Sequence, residues 1–151
     1  GIWETRYPGQ VDRQVTVETP YGPGHIDLWI APESRIVECK TTKATSRAYL
    51  PMAEHVAPVT MYLHYWGIER SATAELAYVL KETGEVVAFP VDYDVVLAER
   101  LVKKLDRITG AVEARELLPV LKAYTADRFP CGWRGGQCQY WQHCWGGDED
   151  E

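Results

Sequence analysis

Polar and apolar residues alternate over positions 14–18, Gln14-Val15-Thr16-Val17-Glu18, at the period of a half-buried strand. Tyr21-Gly22-Pro23-Gly24 follows as a turn. Two further strand patterns come next, Gly24-His25-Ile26-Asp27-Leu28-Trp29-Ile30 and Arg35-Ile36-Val37-Glu38-Cys39-Lys40-Thr41-Thr42. Ala31-Pro32-Glu33-Ser34 supplies turn chemistry between them. Three antiparallel strands are therefore expected at the start of the chain, after a short helix that runs into a loop at Pro8-Gly9. Positions 51–66 predict a helix, with Pro51 in its first turn, Gly67 as its cap and Pro58 as a kink or break. Positions 74–80 and 86–91 read as strands around Glu82-Thr83-Gly84. Asp92-Tyr93-Asp94 can cap a helix running to about Ile108. Its apolar stripe is Val95, Val96, Leu101, Val102 and Leu105, and Thr109-Gly110 is expected to end it. A further helix is predicted over 112–124 despite Pro119. The order is βββ-α-ββ-α.

Size and charge narrow this picture. A chain of 151 residues suits one domain with a single core. No apolar run is long enough to cross a bilayer, and no leader pattern opens the sequence. Both absences fit a cytoplasmic protein, whose thiols stay reduced and free to ligate metals. The formal charge of −6 does not advertise nucleic-acid binding. The tail Asp148-Glu149-Asp150-Glu151 holds four of those charges, which leaves −2 for the rest. Such a tail is usually solvated. Lys40, Lys43 and Arg47 cluster at the end of the third strand and just after it, and Arg128 and Arg134 sit near the C-terminal cysteines. They are either scattered surface cations or phosphate contacts.

The chemistry concentrates in two places. In the first, Asp27 lies one hairpin from Glu38, and Lys40 follows two residues later. Alternation puts Glu38 and Lys40 on one face of their strand and Cys39 on the other. Two carboxylates can hold a divalent cation through oxygen, and an ammonium beside them can orient water or offset charge on a phosphate. Solvent-facing charges on an ordinary hairpin are the plainer alternative. The second place is the run from Phe129 to Trp145, which holds Cys131, Cys138 and Cys144 among glycines, aromatics and His143. Three readings stand side by side there. One is a [4Fe–4S] cluster on Cys131, Cys138, Cys144 and a fourth ligand, Cys39 or a residue outside this sequence. Another is a Zn²⁺ site of Cys131, Cys138, His143 and Cys144. The third is free or disulfide-bonded thiols that staple the segment.

On Asp27, Glu38 and Lys40 the chain resembles the PD-(D/E)xK nuclease superfamily. Val37-Glu38-Cys39-Lys40-Thr41-Thr42 is similar to the corresponding strand of RecB-like nucleases, including the CRISPR-associated "Cas four" group and phage exonucleases. The C-terminal cysteine run resembles the iron–sulfur segment of the same enzymes. The resemblance implies an α/β (α+β) fold with a central mixed β-sheet flanked by helices, a restriction-endonuclease-like core. It places that core at 1–128, a cysteine-cluster segment packed on it at 129–147 and an acidic tail at 148–151. It also implies a metal-dependent deoxyribonuclease, an exonuclease acting on single-stranded or end-bearing DNA. Asp27, Glu38 and the carbonyl of Cys39 would hold Mg²⁺ or Mn²⁺, and Lys40 would assist catalysis. Cys131, Cys138 and Cys144 would carry a [4Fe–4S] cluster. DNA would be the partner, with a second copy of the chain or a recombination or CRISPR protein as further partners.

This chain departs from the family at several points. The family's Gln-x-x-x-Tyr helix is matched by Tyr62 only, with Pro58 in the place of Gln. An alternative alignment uses Tyr65, with Met61 in that place. An upstream metal ligand would have to be His25, Glu4 or Glu18, and no cysteine precedes Cys39. Tyr140, Trp141 and Trp133 can stack on bases or pack around the cluster. The competing functions are a non-catalytic module on a nuclease scaffold and a zinc-stabilised structure-selective endonuclease.

Overall fold

Five strands form one mixed sheet in the order β1-β2-β3-β4-β5. In this computed structural model they span Val11–Val17, Gly24–Ile30, Arg35–Thr42, Thr73–Leu80 and Val86–Val91. The structure describes residues 2–116 and the short strands β6 (Gly132–Trp133) and β7 (Gly136–Gln137), which pair with each other. The chain divides into two compact units, Gly1–Thr109 and Gly110–Glu151. The sheet and the site below belong to the first.

Neighbouring strands are antiparallel except β3 and β4, which run parallel from Arg35↔Thr73 to Thr42↔Leu80. Parallel neighbours need a crossover, and the helix α2 (Ala53–Tyr62) supplies it. Helix α1 (Ile2–Arg6) precedes the sheet and α3 (Val95–Ala114) follows it. The protein is thus an α+β structure, a five-stranded mixed sheet with flanking helices. Among the described residues no helix is long and apolar enough to cross a membrane.

Each face of the sheet has its own apolar cluster. Val17, Ile26, Ile36, Leu76, Tyr78 and Val91 pack with Val59 and Leu63 on the α2 side. Ile30, Val37 and Ala77 pack with Trp3 and Tyr7 around α1. In β3 and β4 the side chains alternate between these clusters without interruption. In β1 and β2 the alternation slips. Val11 and Leu28 join the α1 side, whereas Val15 and Ile26 join the α2 side, although strict alternation would keep each pair together. The slip falls between Arg13↔Leu28 and Val15↔Ile26, at Gln14 and Asp27. Gln14 has the left-handed φ of +50°.

Several expectations need correction. β1 begins at Val11 rather than Gln14, because the ladder to β2 extends to Val11↔Ile30. Pro58 lies inside α2 without ending it. A proline ring removes one donor from the ladder, and the packed turns on either side carry the helix across. Gly67 is not a left-handed cap. A widened helical turn covers Leu63–Gly67, and a tight turn over Ile68–Arg70 follows. Gly67 packs closely there, where a Cβ would sit 2.9 Å from Leu63 Cδ2 and the leucine would have to shift. Thr109-Gly110 does not stop α3, which continues to Ala114, so the start of the helix predicted over 112–124 is the end of α3. The rest of that prediction lies outside the described residues. Val95 and Val96 are exposed, and Ala98 is the buried residue of α3, flanked by half-buried Leu101, Val102 and Leu105.

Candidate active site

The ladder between β2 and β3 runs from Ile30↔Arg35 to Leu28↔Val37 and stops there. Beyond it the strands part, and Asp27 fills the gap with its side chain. Asp27 Oδ2 accepts the backbone N–H of Cys39 at 2.8 Å, which takes the place of a ladder bond. The other oxygen, Oδ1, accepts a hydrogen bond from Gln14 Nε2 at 3.1 Å. Each oxygen of the carboxylate therefore has a donor, one from each neighbouring strand.

Glu38 is 5% exposed, deep between β2 and β4. Its Oε1 is bonded by the ammonium of Lys40, two residues along on the same face. Its Oε2 is buried and accepts no hydrogen bond of ordinary geometry among the described residues, and the backbone N–H of Asp27 near the carboxyl favours its charged form. Burial holds the Glu38 carboxyl above the usual carboxylate range, the Lys40 bond opposes this, and the charge of Asp27 adds to it. Lys40 shows the opposite balance. Desolvation works against its charge, but the bond to Glu38 and the fields of Glu38 and Asp27 outweigh it and raise its pKa. Cys39 is exposed, on the other face from Glu38 and Lys40 as alternation predicts.

Tyr62 reaches the same place from the last turn of α2. Its ring lies against the backbone of Gly24, where a Cβ would meet Tyr62 Cε1 at 2.7 Å. Only glycine lets the ring come this close. Burial, and then the charge of Glu38, push the Tyr62 hydroxyl above its ordinary pKa. The structure thus brings Asp27, Glu38, Lys40, Tyr62 and the backbone of Cys39 together. It leaves the proposed upstream ligands occupied elsewhere or exposed. Glu4 is bonded by Arg13, His25 lies 3.5 Å from Thr16 Oγ1, and Glu18 is exposed. Tyr65 packs edge-on against Tyr21 and His64. Arg47 is held by Glu85, and Lys43 is exposed. Cys131, Cys138, His143 and Cys144, with Arg128 and Arg134, lie outside the described residues.

Sequence reasoning passed over Gln14. It occupies a polar position in an alternating strand, and its importance lies in a backbone angle that the residue type does not announce.

The donor set suits a hard divalent cation. A buried carboxylate oxygen without a hydrogen bond among the described residues is a costly group that a cation would satisfy. Among the described residues no group of three or more His, Cys, Asp or Glu could hold a metal ion. Two carboxylates and a carbonyl are too few for a closed protein cage, but they suit Mg²⁺ or Mn²⁺, which keep waters and take further oxygens from phosphate.

No protein-family model matches the chain, and no curated protein does. Among solved structures, the crystal structure of SSO0001 is similar to it, with a TM-score of 0.51 and 16% sequence identity. The similarity covers 73% of this chain and 55% of that one, so the chain spans about half the length of the structure it matches. At this identity the likeness is one of fold alone.

Proposed function

We propose that this protein is a metal-dependent deoxyribonuclease of the RecB and "Cas four" type, acting on single-stranded or end-bearing DNA. One observation carries the reading: a buried glutamate bonded through one oxygen to a lysine, its other oxygen without a hydrogen bond of ordinary geometry among the described residues, beside a second carboxylate where two strands part.

Asp27, Glu38 and the Cys39 carbonyl would hold Mg²⁺ or Mn²⁺. Bound there, the cation supplies Lewis acidity toward a phosphate and lowers the pKa of a water. Lys40, kept protonated by Glu38, orients the attacking water and offsets charge on the scissile phosphate. Tyr62 keeps its proton and can donate it in a hydrogen bond to a phosphate oxygen. Cys131, Cys138 and Cys144 are the proposed ligands of a [4Fe–4S] cluster that fastens the C-terminal segment and performs no hydrolysis. A coloured purified protein supports the cluster, whereas Zn²⁺ is colourless.

The test is cleavage of end-labelled single- and double-stranded DNA with Mg²⁺ or Mn²⁺, run beside Asp27→Ala and Lys40→Ala. Cutting that needs the cation and is lost in both variants is the expected result. A folded, metal-replete protein that cuts neither substrate would replace this reading with a non-catalytic module on the same scaffold.

A further inference from the structure

Gln14 stands out from every other residue of β1. A long amide side chain gains nothing from the left-handed region, which suits glycine and short polar residues, yet its φ is +50°. The residue is not in a loop. The ladder resumes in the same register on both sides of it, Arg13↔Leu28 before and Val15↔Ile26 after. Its conformation accounts for the change of face that buries Val11 on one side of the sheet and Val15 on the other. A glycine would meet that need with less strain. What glycine lacks is the amide that reaches Asp27 Oδ1 at 3.1 Å.

We propose that Gln14 is a positioning residue of the cation site: its left-handed backbone aims the amide at Asp27 and fixes the plane of that carboxylate. This rests on the metal-site reading above. The Cys39 N–H holds one oxygen, and a single donor would leave the carboxylate free to rotate about that bond. The Gln14 amide holds the second oxygen from the opposite strand. One lone pair on each oxygen stays open, on a carboxylate already oriented beside Glu38. Partners of this kind lock a ligand's direction, and their loss typically costs about 10- to 100-fold in metal affinity.

The experiment compares Mn²⁺ binding, followed by electron paramagnetic resonance of the free ion, in the wild type, Gln14→Gly, Gln14→Asn and Asp27→Ala. Gln14→Gly keeps the backbone and removes the amide. Gln14→Asn also accepts a left-handed backbone, but its amide is one methylene short, and it serves as the second variant if the glycine chain folds poorly. The expected result is that both Gln14 variants lose about 10- to 100-fold in affinity at the Asp27-dependent site. Their melting temperatures without metal should stay within about 4 °C of wild type, because relief of the left-handed residue offsets the lost bond. Unchanged or tighter Mn²⁺ binding in the Gln14 variants, with binding lost in Asp27→Ala, would overturn the role of Gln14 and leave the site standing. Equal binding by wild type and Asp27→Ala would remove the site and the inference with it. A purely structural Gln14 would lower the melting temperature and leave Mn²⁺ affinity unmoved.

Discussion

A carboxylate with one oxygen on an ammonium and the other without a hydrogen bond of ordinary geometry is costly to bury, and among the described residues Glu38 is in that position. Its pKa is raised in the fold, mainly by desolvation, so the folded state holds the Glu38 proton more tightly than the unfolded chain does. The resulting stabilisation is fully present below the unfolded pKa and is lost as pH rises through the folded one. Above its folded pKa and without a cation, ionised Glu38 is therefore less favourable to folding than its protonated form. Glu38→Gln, which imitates the protonated acid, should make the cation-free protein more stable than wild type at about pH 7 and leave it close to wild type at about pH 4. Lys40 keeps 29% of its side chain exposed and can be hydrated once its partner is neutral. Urea unfolding in EDTA at both pH values checks this. A less stable Glu38→Gln at neutral pH would mean that the Lys40 bond outweighs desolvation. Saturating Mn²⁺ should reverse the order at neutral pH, since only the wild type would gain the ion's binding energy.

Among the elements, α3 is governed by its ends and by one glycine. Asp94 Oδ1 accepts the Leu97 N–H at 3.0 Å, the side-chain cap of the helix start. Asp94→Ala should cost about 1 kcal/mol. Gly110 lies inside α3, exposed, and a Cβ there would meet nothing within 4 Å. Gly110→Ala should stabilise by about 0.5–1 kcal/mol. The two residues are far enough apart in the helix that the double variant should show the sum of both, and thermal melts of the three chains would expose any coupling. The same helix shows what sequence alone can carry. Its cap at Asp94 was legible because short acids at a helix start have one strong use. Its end was not, because Thr109-Gly110 is only a weak stop when the following residues can continue the ladder. The hairpin strands Gly24–Ile30 and Arg35–Thr42 and the strand Val86–Val91 were legible from alternation and turn residues. The pairing of Glu38 with Lys40 on one face followed from the period of two. The change of face at Gln14 and Asp27 was not legible. The first pattern alternates only from Gln14 onward and the second ends in the apolar run Leu28-Trp29-Ile30, and neither marks a change of face, because the slip lives in one φ angle and one carboxylate that replaces a ladder bond. The close fit of Tyr62 on Gly24 was equally hidden, because it joins two elements distant in sequence.

At the scale of the molecule, the formal charge of −6 sets a condition on any polyanionic substrate. Lys40 is tied to Glu38 and Arg47 to Glu85, so much of the positive charge near the site is already neutralised. A protein that binds DNA through free cations loses affinity steeply as salt rises, because counterions released on binding must be displaced. Here the two site carboxylates repel phosphate until a divalent cation reverses the local sign. Fluorescence anisotropy with a short labelled single strand should therefore show weak binding in EDTA with a shallow salt dependence. Mn²⁺ should tighten it at least about tenfold, a gain of about 1.4 kcal/mol. Lys40→Ala prevents cleavage from confounding the measurement, and Asp27→Ala should abolish the gain. Below the folded pKa of Glu38 the gain should also fade, because the proton and the cation compete for the same carboxylate. Equally tight binding in EDTA and in Mn²⁺ would put the DNA path elsewhere on the protein and would separate substrate binding from the Asp27–Glu38 site.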